Sequence, residues 1–220
     1  MKKIIATIML VSSFATYSFA DSFKFGIKTI TSMNFYSTGA SAVDDNISFG
    51  LGWGGGLTMH FPLENGFSIN PELNFLWRKI YNHKYSQYPR PSSLIEADIH
   101  FSASELALSA PIMAQYKIIP NLYVSTGIQL DFPLLATIKQ RIKVDDVDYC
   151  SALEGIDDTV ECSYAFDGRT FLDFGLALGT GYMFGKSFGV DLKYVFGLLE
   201  VNDKEDGKYN QMIFSLLWYF

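Results

Sequence analysis

Residues with the chemistry for catalysis are few in this sequence and are poorly placed for it. The three histidines are His60, His83 and His100, and only the last two share a segment, residues 79–104. A hydrolase or an acyltransferase needs a nucleophile or a water molecule activated by a histidine with a positioned carboxylate. The serines and acids near His83 and His100 lack such a spacing and are ordinary for a solvated loop. We therefore predict no catalytic residue and no enzyme activity.

The two cysteines, Cys150 and Cys162, lie 12 positions apart. A metal site would need further ligands, and no histidine lies near them in the sequence, so we predict neither a metal nor a cofactor. In an oxidising compartment the two cysteines can form a disulfide with each other. On a chain-entropy estimate, that bond would be worth about 3 kcal/mol to its loop.

The segment around the cysteines is acidic. Residues 138–169 contain eight Asp or Glu residues against four Lys or Arg residues. The acids do not follow the Asp-x-Asp-x-Asp-Gly order of a calcium loop. We favour a hydrated loop held by the disulfide; the alternative is a surface site for a cation or a protein partner.

The elements that carry these residues show a period of two, typical of β-strands with one apolar face. In Phe49–Phe61, for example, one face carries large apolar residues while the other carries four glycines. Eight such segments can be placed: Phe23–Phe35, Phe49–Phe61, Phe67–Arg78, Glu105–Ile118, Leu122–Leu134, Phe171–Phe184, Phe188–Leu198 and Asn210–Phe220. Their apolar rows contain no charge, whereas the facing rows contain ten: Lys24, Lys28, Glu72, Arg78, Glu105, Lys117, Asp131, Asp173, Asp191 and Lys193.

The length of these segments indicates which solvent the apolar rows face. Each spans 11–14 residues, whereas strands usually have about 5–6 residues and a tilted strand needs roughly 9–11 to cross hydrocarbon. An open sheet edge in lipid would leave backbone groups unpaired at high cost, so the sheet must close. We predict an all-β fold, an eight-stranded antiparallel up-and-down transmembrane β-barrel, with a soluble sandwich as the alternative.

Composition agrees with an exported membrane protein. The 220 residues are 49% hydrophobic and 18% charged, with a formal net charge of −6. Because the electrostatic footprint of nucleic-acid binding is basic, we predict no nucleic-acid partner.

The N-terminus has the pattern of a secretory signal peptide. Lys2 and Lys3 precede a short apolar stretch, and Ser18 and Ala20 occupy the −3 and −1 positions of a cleavage site. A first transmembrane helix is the alternative, but its apolar part would be too short. We predict a signal peptide over residues 1–20 and one outer-membrane β-barrel domain over residues 21–220.

The connections between the predicted strands alternate strictly in length: 13, 5, 26, 3, 36, 3 and 11 residues. Outer-membrane barrels have short periplasmic turns and longer extracellular loops, so we predict that both termini lie in the periplasm. Aromatic residues near both ends of the strands resemble two interfacial girdles.

Four inward-facing charges are predicted to share one layer of the lumen. Lys28, Glu72, Asp191 and Lys193 are the fourth to sixth residues of their strands, counted from the short turns. An eight-stranded barrel has room only for its own side chains or one small ligand. We predict that these residues form a paired network that closes the lumen, since unpaired buried charges are costly. The alternative is a narrow path for an ion or solute.

Four stretches carry a family resemblance: FSINPELNF at Phe67–Phe75, ELALSAPIMAQYK at Glu105–Lys117, FLDFGLALGTGYMF at Phe171–Phe184 and VDLKYVFGL at Val190–Leu198. In motifs, order and spacing the chain resembles the PorT-like family of outer-membrane β-barrel proteins, and more loosely the small OmpA/OmpX-type barrels. The resemblance implies a barrel in contact with the outer-membrane lipid of a double-membrane bacterium.

The chain ends in MIFSLLWYF, in which Met212, Phe214, Leu216, Trp218 and Phe220 alternate with other residues. This end resembles the terminal signal by which the barrel-assembly machinery recognises barrel precursors. We therefore predict that machinery as a partner during insertion.

Together these features predict a monomeric, non-enzymatic outer-membrane protein with a structural or surface-interaction role. The name-giving member of the family implies an alternative, a component of or accessory to an outer-membrane secretion or transport system with a protein partner. A narrow solute pore is a third reading.

Overall fold

The computed structural model describes residues 23–38, 47–89, 94–144, 147–148, 163–165, 170–202 and 205–220. The predicted signal peptide and both cysteines lie outside the described residues. The signal peptide and the disulfide therefore stay predictions.

Antiparallel strands make up almost all of the described structure. The eight long strands are β1 (Lys24–Thr38), β2 (Ile47–Pro62), β3 (Phe67–Pro89), β4 (Leu94–Ile119), β5 (Leu122–Val144), β8 (Asp173–Phe184), β9 (Phe188–Gly197) and β11 (Glu205–Tyr219). The short strands β6 (Val147–Asp148) and β7 (Ser163–Ala165) pair with β5, and β10 (Glu200–Asn202) pairs with β11. Within the described ranges, no helix is long and apolar enough to span a membrane.

Pairing of the first and last strands closes the sheet. Each long strand pairs antiparallel with the next, and β1 also pairs with β11 in a ladder from Gly26 opposite Tyr219 to Thr38 opposite Gly207. A closed sheet leaves no edge strand with unpaired backbone groups. The predicted fold class, an eight-stranded antiparallel up-and-down barrel, is confirmed.

The apolar rows lie on the outer face of the barrel. Leu51 and Trp53, for example, are 52% and 65% exposed. Near the short turns, aromatic rings meet across strands, as where the centroids of Phe67 and Tyr116 lie 4.7 Å apart. The opposite face of each strand carries mostly small, polar and charged residues, with a few apolar ones such as Ile30 and Leu76, and these side chains point into the lumen.

The short connections are tight turns at one end of the barrel, here called the short-turn end; the other end is the long-loop end. Glu64–Gly66 forms a single 3-10 turn in which Asn65 and Gly66 have φ of 58° and 81°. Gly185, between β8 and β9, has φ of 87°. Glycine adopts such left-handed conformations without steric cost.

The prediction of a 26-residue loop over residues 79–104 is wrong. β3 continues to Pro89 and β4 begins at Leu94, with these two residues opposite each other. β5 likewise continues to Val144, so the first part of the predicted 135–170 loop is strand. Backbone pairing does not need an apolar row, and residues 79–89 of β3 carry none. In β4, however, Ile95, Ala97, Ile99, Phe101 and Ala103 alternate with polar residues, so a period-two signal for the extension was present there and was not used in the prediction.

Pro133 lies inside β5, where its missing N–H interrupts the ladder. The register shifts at this point, because Leu106 pairs with Leu135 whereas Ala107 pairs with Pro133. Leu134 is therefore the extra residue of a β-bulge, which accommodates the proline.

The inward face of β2 carries glycines, so side chains from neighbouring strands occupy the lumen beside it. A Cβ atom on Gly56 would lie 2.1 Å from Asn74 Oδ1 and 2.5 Å from the Leu73 carbonyl oxygen. Both distances are far below van der Waals contact, so this position requires glycine for close approach.

We expect Gly56→Ala to lower the free energy of unfolding by about 1–3 kcal/mol, the usual cost of overpacking. The measurement is urea-induced unfolding of the refolded protein in detergent micelles. Gly55→Ala is the matched control, since that residue lies on the outer face and its Cβ would come no closer than 3.2 Å, to the Lys28 carbonyl oxygen. Equal destabilisation by the two substitutions would contradict the packing explanation.

Candidate functional site

The structure brings the four predicted interior charges together in the half of the lumen nearer the short turns. Lys28 Nζ lies 2.8 Å from Glu72 Oε2 and 3.5 Å from Asp191 Oδ2. Lys193 Nζ lies 2.7 Å from Glu72 Oε1. All four residues are buried, and they are called the short-turn cluster below. Two ammonium and two carboxylate groups make it neutral overall, as burial requires.

The glycine face of β2 makes this meeting possible. Lys28 in β1 lies opposite Gly56 in β2, and Gly56 in turn lies opposite Asn74 in β3. Because Gly56 has no side chain, the lysine can extend across β2 to Glu72. Asn74 Nδ2 donates a further hydrogen bond of 3.2 Å to Glu72 Oε2.

A second cluster of charges lies in the half of the lumen nearer the long loops; Arg78 and Asp131 are buried, and Glu105 and Asp173 are half-buried. Arg78 Nη1 lies 2.8 Å from Asp131 Oδ2, and its Nη2 pairs with Glu105 and lies 3.6 Å from Asp173 Oδ2. These four residues are called the long-loop cluster. The Arg78 guanidinium carbon also lies 4.6 Å from the centre of the Tyr209 ring, within the range of a cation–π contact.

Two glutamine side chains add neutral donors to the long-loop cluster. Gln129 Nε2 donates to both carboxylate oxygens of Asp131, each at 3.0 Å. Gln211 Nε2 donates to Asp131 Oδ2 at 3.2 Å. Three carboxylates thus surround one guanidinium, and amide donors supply part of the compensation that a second cation would otherwise give.

An apolar layer separates the two clusters. Leu76 lies two residues from Arg78 along β3, and Ile30 lies two residues from Lys28 along β1, so both point into the lumen between the clusters. The buried apolar residues at this level are Ile30, Leu76, Met113, Ala177, Val195 and Ile213. Ser215 lies opposite Ile30 and Ser32 lies opposite Ile213, and both serines are buried at this level too. The described lumen therefore has two charged layers and, between them, an uncharged layer that is mainly apolar and is called the apolar layer below.

The long-loop cluster is a feature that the sequence analysis did not group. Its members stand in the inward rows, and a signal for their meeting was present. Arg78 ends its predicted segment and Glu105 begins the next, so both are at the long-loop end. Asp131 and Asp173 lie within four residues of that end of their own predicted segments. Inward-facing residues at the same height in the barrel are expected to contact one another, and the prediction of the short-turn cluster rests on the same argument.

The predicted C-terminal assembly residues share one face of β11. Met212, Phe214, Leu216, Trp218 and Phe220 are all exposed on the outer surface of the barrel. Their side chains are thus available to lipid. Their role as an assembly signal stays a prediction.

The histidines occupy both ends of the barrel. His60 Nδ1 lies 3.3 Å from Asn70 Oδ1 near the short turns. The register of β3 and β4 places the backbone of His83 opposite that of His100, in the extension toward the long loops. Within the part of the chain that the structure describes, no group of three or more His, Cys, Asp or Glu residues is placed to hold a metal ion.

We expect Glu72→Gln to lower the free energy of unfolding by about 3–5 kcal/mol, because it leaves two buried ammonium groups with one carboxylate. Urea unfolding in micelles measures the loss. Glu64→Gln makes the same chemical change at an exposed turn residue and should have almost no effect. A double variant, Glu72→Gln with Lys193→Met, should lose less than the sum of the two single variants; strict additivity would contradict the pairing.

We expect Arg78→Met to destabilise the barrel by about 3–5 kcal/mol, since the buried carboxylate of Asp131 and the half-buried carboxylates of Glu105 and Asp173 lose their cation. Arg78→Lys should recover only part of this, because an ammonium cannot reproduce the fork that contacts Asp131 and Glu105 together. Lys79→Met is the control, as it removes a cation from the adjacent residue outside the cluster. Heat-modifiable gel migration and urea midpoints report the ranking, and full rescue by Arg78→Lys would contradict a role for the fork geometry.

Solved structures of outer-membrane proteins align with most of this chain. Ail, the attachment invasion locus protein of Yersinia pestis, is 11% identical, with 90% of this chain and 98% of Ail covered and a TM-score of 0.41. Neisserial surface protein A is 10% identical, with 89% and 97% covered and a TM-score of 0.46. OprG from Pseudomonas aeruginosa is 13% identical, with 90% and 95% covered and a TM-score of 0.33. No curated protein matches the sequence.

A family model places the chain more directly. The model described as outer membrane protein beta-barrel domain matches residues 14–202, which is most of the sequence. The closed antiparallel sheet, the exposed apolar rows and the filled polar lumen are the features that such a domain requires. The chain belongs to the family of outer membrane protein β-barrel domains.

Proposed function

We propose that this integral outer-membrane barrel is a closed, non-enzymatic anchor whose long-loop end serves a structural or surface-interaction role. The observation that carries the proposal is the length of three consecutive strands. β3, β4 and β5 have 23, 26 and 23 residues, more than twice the roughly 9–11 that cross hydrocarbon. β8 and β9, with 12 and 10 residues, are long enough only to span.

The extension forms a continuous sheet outside the membrane. β3 and β4 stay in register to Pro89 opposite Leu94, and β4 and β5 pair as far as Ala97 opposite Val144. A three-stranded platform of this kind offers a rigid surface to a partner, whereas a loop would have to be ordered on binding.

The filled lumen supports an anchor over a solute pore. Two charged layers and the apolar layer between them occupy the interior with buried side chains. An eight-stranded barrel has little space beyond that. A path for ions would have to cross the apolar layer, where Ser32 and Ser215 offer hydroxyl groups but none of the buried side chains described at that level carries a charge to balance an ion.

The orientation in the membrane follows from the same asymmetry. The short turns, the start of β1 and the end of β11 lie at one end of the barrel, and outer-membrane barrels carry their short turns in the periplasm. The proposal therefore includes periplasmic termini, export by the predicted signal peptide, insertion by the barrel-assembly machinery and a monomeric state. A place in the PorT-like branch of the family rests on the four sequence motifs.

Labelling of intact cells tests the orientation and the exposed platform together. A membrane-impermeant amine reagent should modify Lys139 and Lys208, which are exposed toward the long-loop end, and should leave Lys117 and Lys186 at the short turns unmodified. Mass spectrometry of the isolated protein reads the pattern, and lysed cells, in which all four lysines should react, give the control. The reverse pattern on intact cells would overturn the orientation. Crosslinked peptides from the same cells would identify any surface partner.

Planar-bilayer recording tests the closed lumen. We expect no single-channel current from the wild-type protein or from Glu72→Gln, because the apolar layer remains in both. A known porin in the same chamber controls for insertion and sensitivity. A wild-type current that rises in Glu72→Gln would show that the short-turn cluster gates a path, and would replace the anchor with a pore.

A further inference from the structure

The short-turn end of the lumen opens into a cavity that the two charge clusters do not use. The cavity has a volume of about 90 Å³, enough for several water molecules. Its walls are continuations of the inward rows of β1, β2, β4, β5 and β11, together with the turn between β8 and β9. It is therefore the mouth of the lumen rather than a surface groove.

Among the described residues, the charged side chains that line this mouth are all lysines. Lys24, Lys117 and Lys186 line the cavity, and among the described residues no Asp or Glu does so. The whole chain has 23 acidic and 17 basic residues, so the composition gives no reason to expect an excess of cations here. Within the described ranges, none of the three lysines forms an ion pair.

The three lysines border one cavity, where Lys24 is half-buried and Lys117 and Lys186 are exposed. Lys24 Nζ donates a hydrogen bond of 3.1 Å to the Lys186 carbonyl oxygen, which ties the start of β1 to the turn after β8. Like charges in one cavity repel each other. An arrangement that keeps them together without a carboxylate is stabilised by a bound anion.

Hydrogen-bonding groups line the deeper wall of the mouth. Tyr123 and Tyr219 are only 6% exposed each, and both line the cavity together with His60. Below them the lumen is closed by the short-turn cluster, since Gly181 pairs with both Tyr123 and Asp191. An anion that enters the mouth thus meets cations and hydroxyl groups and goes no further.

We propose that the short-turn mouth of the barrel binds a phosphate group through Lys24, Lys117 and Lys186. A tetrahedral oxyanion suits a cavity bordered by three ammonium donors, because each of its oxygens can accept a charge-assisted hydrogen bond. The group is carried by free phosphate or by the headgroup of a neighbouring lipid. This inference does not rest on the proposed surface role, which concerns the opposite end of the barrel.

Titration calorimetry with inorganic phosphate tests the site. The refolded wild-type protein is held in dodecyl maltoside, which contains no phosphate, and in 0.15 M NaCl, which screens exposed charges beyond about 8 Å. We expect saturable binding of one phosphate per chain. We expect the triple variant Lys24→Gln/Lys117→Gln/Lys186→Gln to bind at least about tenfold more weakly, a loss of about 1.4 kcal/mol.

A matched triple variant controls for net charge. Lys79→Gln/Lys139→Gln/Lys208→Gln removes the same charge at positions distant from the mouth, and should keep the wild-type affinity within about twofold. Heat-modifiable migration establishes that both triple variants are folded. Absence of saturable binding by the wild-type protein, or equal losses in the two triples, would overturn the proposal.

A second arm distinguishes the source of the phosphate. The same titration is repeated in nanodiscs of phosphatidylglycerol. Weaker binding of inorganic phosphate there than in maltoside identifies the lipid headgroup as the occupant, whereas unchanged binding identifies soluble phosphate. Either result supports a phosphate site if the Lys24/Lys117/Lys186 variant again binds phosphate more weakly than the Lys79/Lys139/Lys208 variant. Equal binding by the two variants in nanodiscs would overturn the proposal for the protein in a bilayer.

Discussion

The backbone hydrogen bonds between β1 and β11 are the constraint on which the rest of this structure depends. Hydrocarbon supplies no partner for an N–H or C=O group, so the sheet must return to its first strand. The chain returns after eight long strands, and a barrel of that number has a lumen too narrow to hold bulk water. The interior must then be filled by side chains, and every inward residue is chosen under that requirement. Glycine at position 56 follows from it, because Asn74 and Lys28 need the space that a side chain there would occupy.

Filling the lumen with charges instead of apolar groups alone has a physical cost and a structural use. Each buried ion must be paired, and the two clusters meet this in different ways. In the short-turn cluster, two lysines and two carboxylates pair as single points of charge. In the long-loop cluster, one guanidinium serves several carboxylates, which only a planar group with five donors can do. Since an incorrectly registered strand would separate these partners, the clusters favour one register of the closed sheet over its neighbours.

The sequence predicts this fold well wherever one face of a strand meets lipid and less well elsewhere. The apolar rows identified all eight membrane-spanning strands, and counting from the short turns placed Lys28 and Glu72 at one height. Counting residues from the long-loop end is less reliable, because β3 continues beyond Arg78 to Pro89. No apolar row in β3 indicates this continuation. The sequence therefore places Arg78 and Glu105 at the ends of predicted strands and does not predict that their side chains pair. Pro133 shows a further limit, because a bulge at Leu134 arises from pairing with β4 and leaves no periodic trace in β5.

The apolar layer between the clusters makes the two ends of the barrel independent. Ile30, Leu76 and Met113 offer no hydrogen-bonding group, and Ser32 and Ser215 at the same level carry no charge. A change in charge at one cluster therefore reaches the other only through buried, uncharged side chains. Coupling through such a layer would need two alternative packings, and the closed ladder that pairs β1 with both β2 and β11 opposes any change of register. A ligand at the short-turn mouth and a partner at the long-loop platform would therefore bind without influencing each other. In the proposed role the barrel transmits neither solute nor signal between its ends, and it gives each of the two proposed sites a fixed position in the membrane.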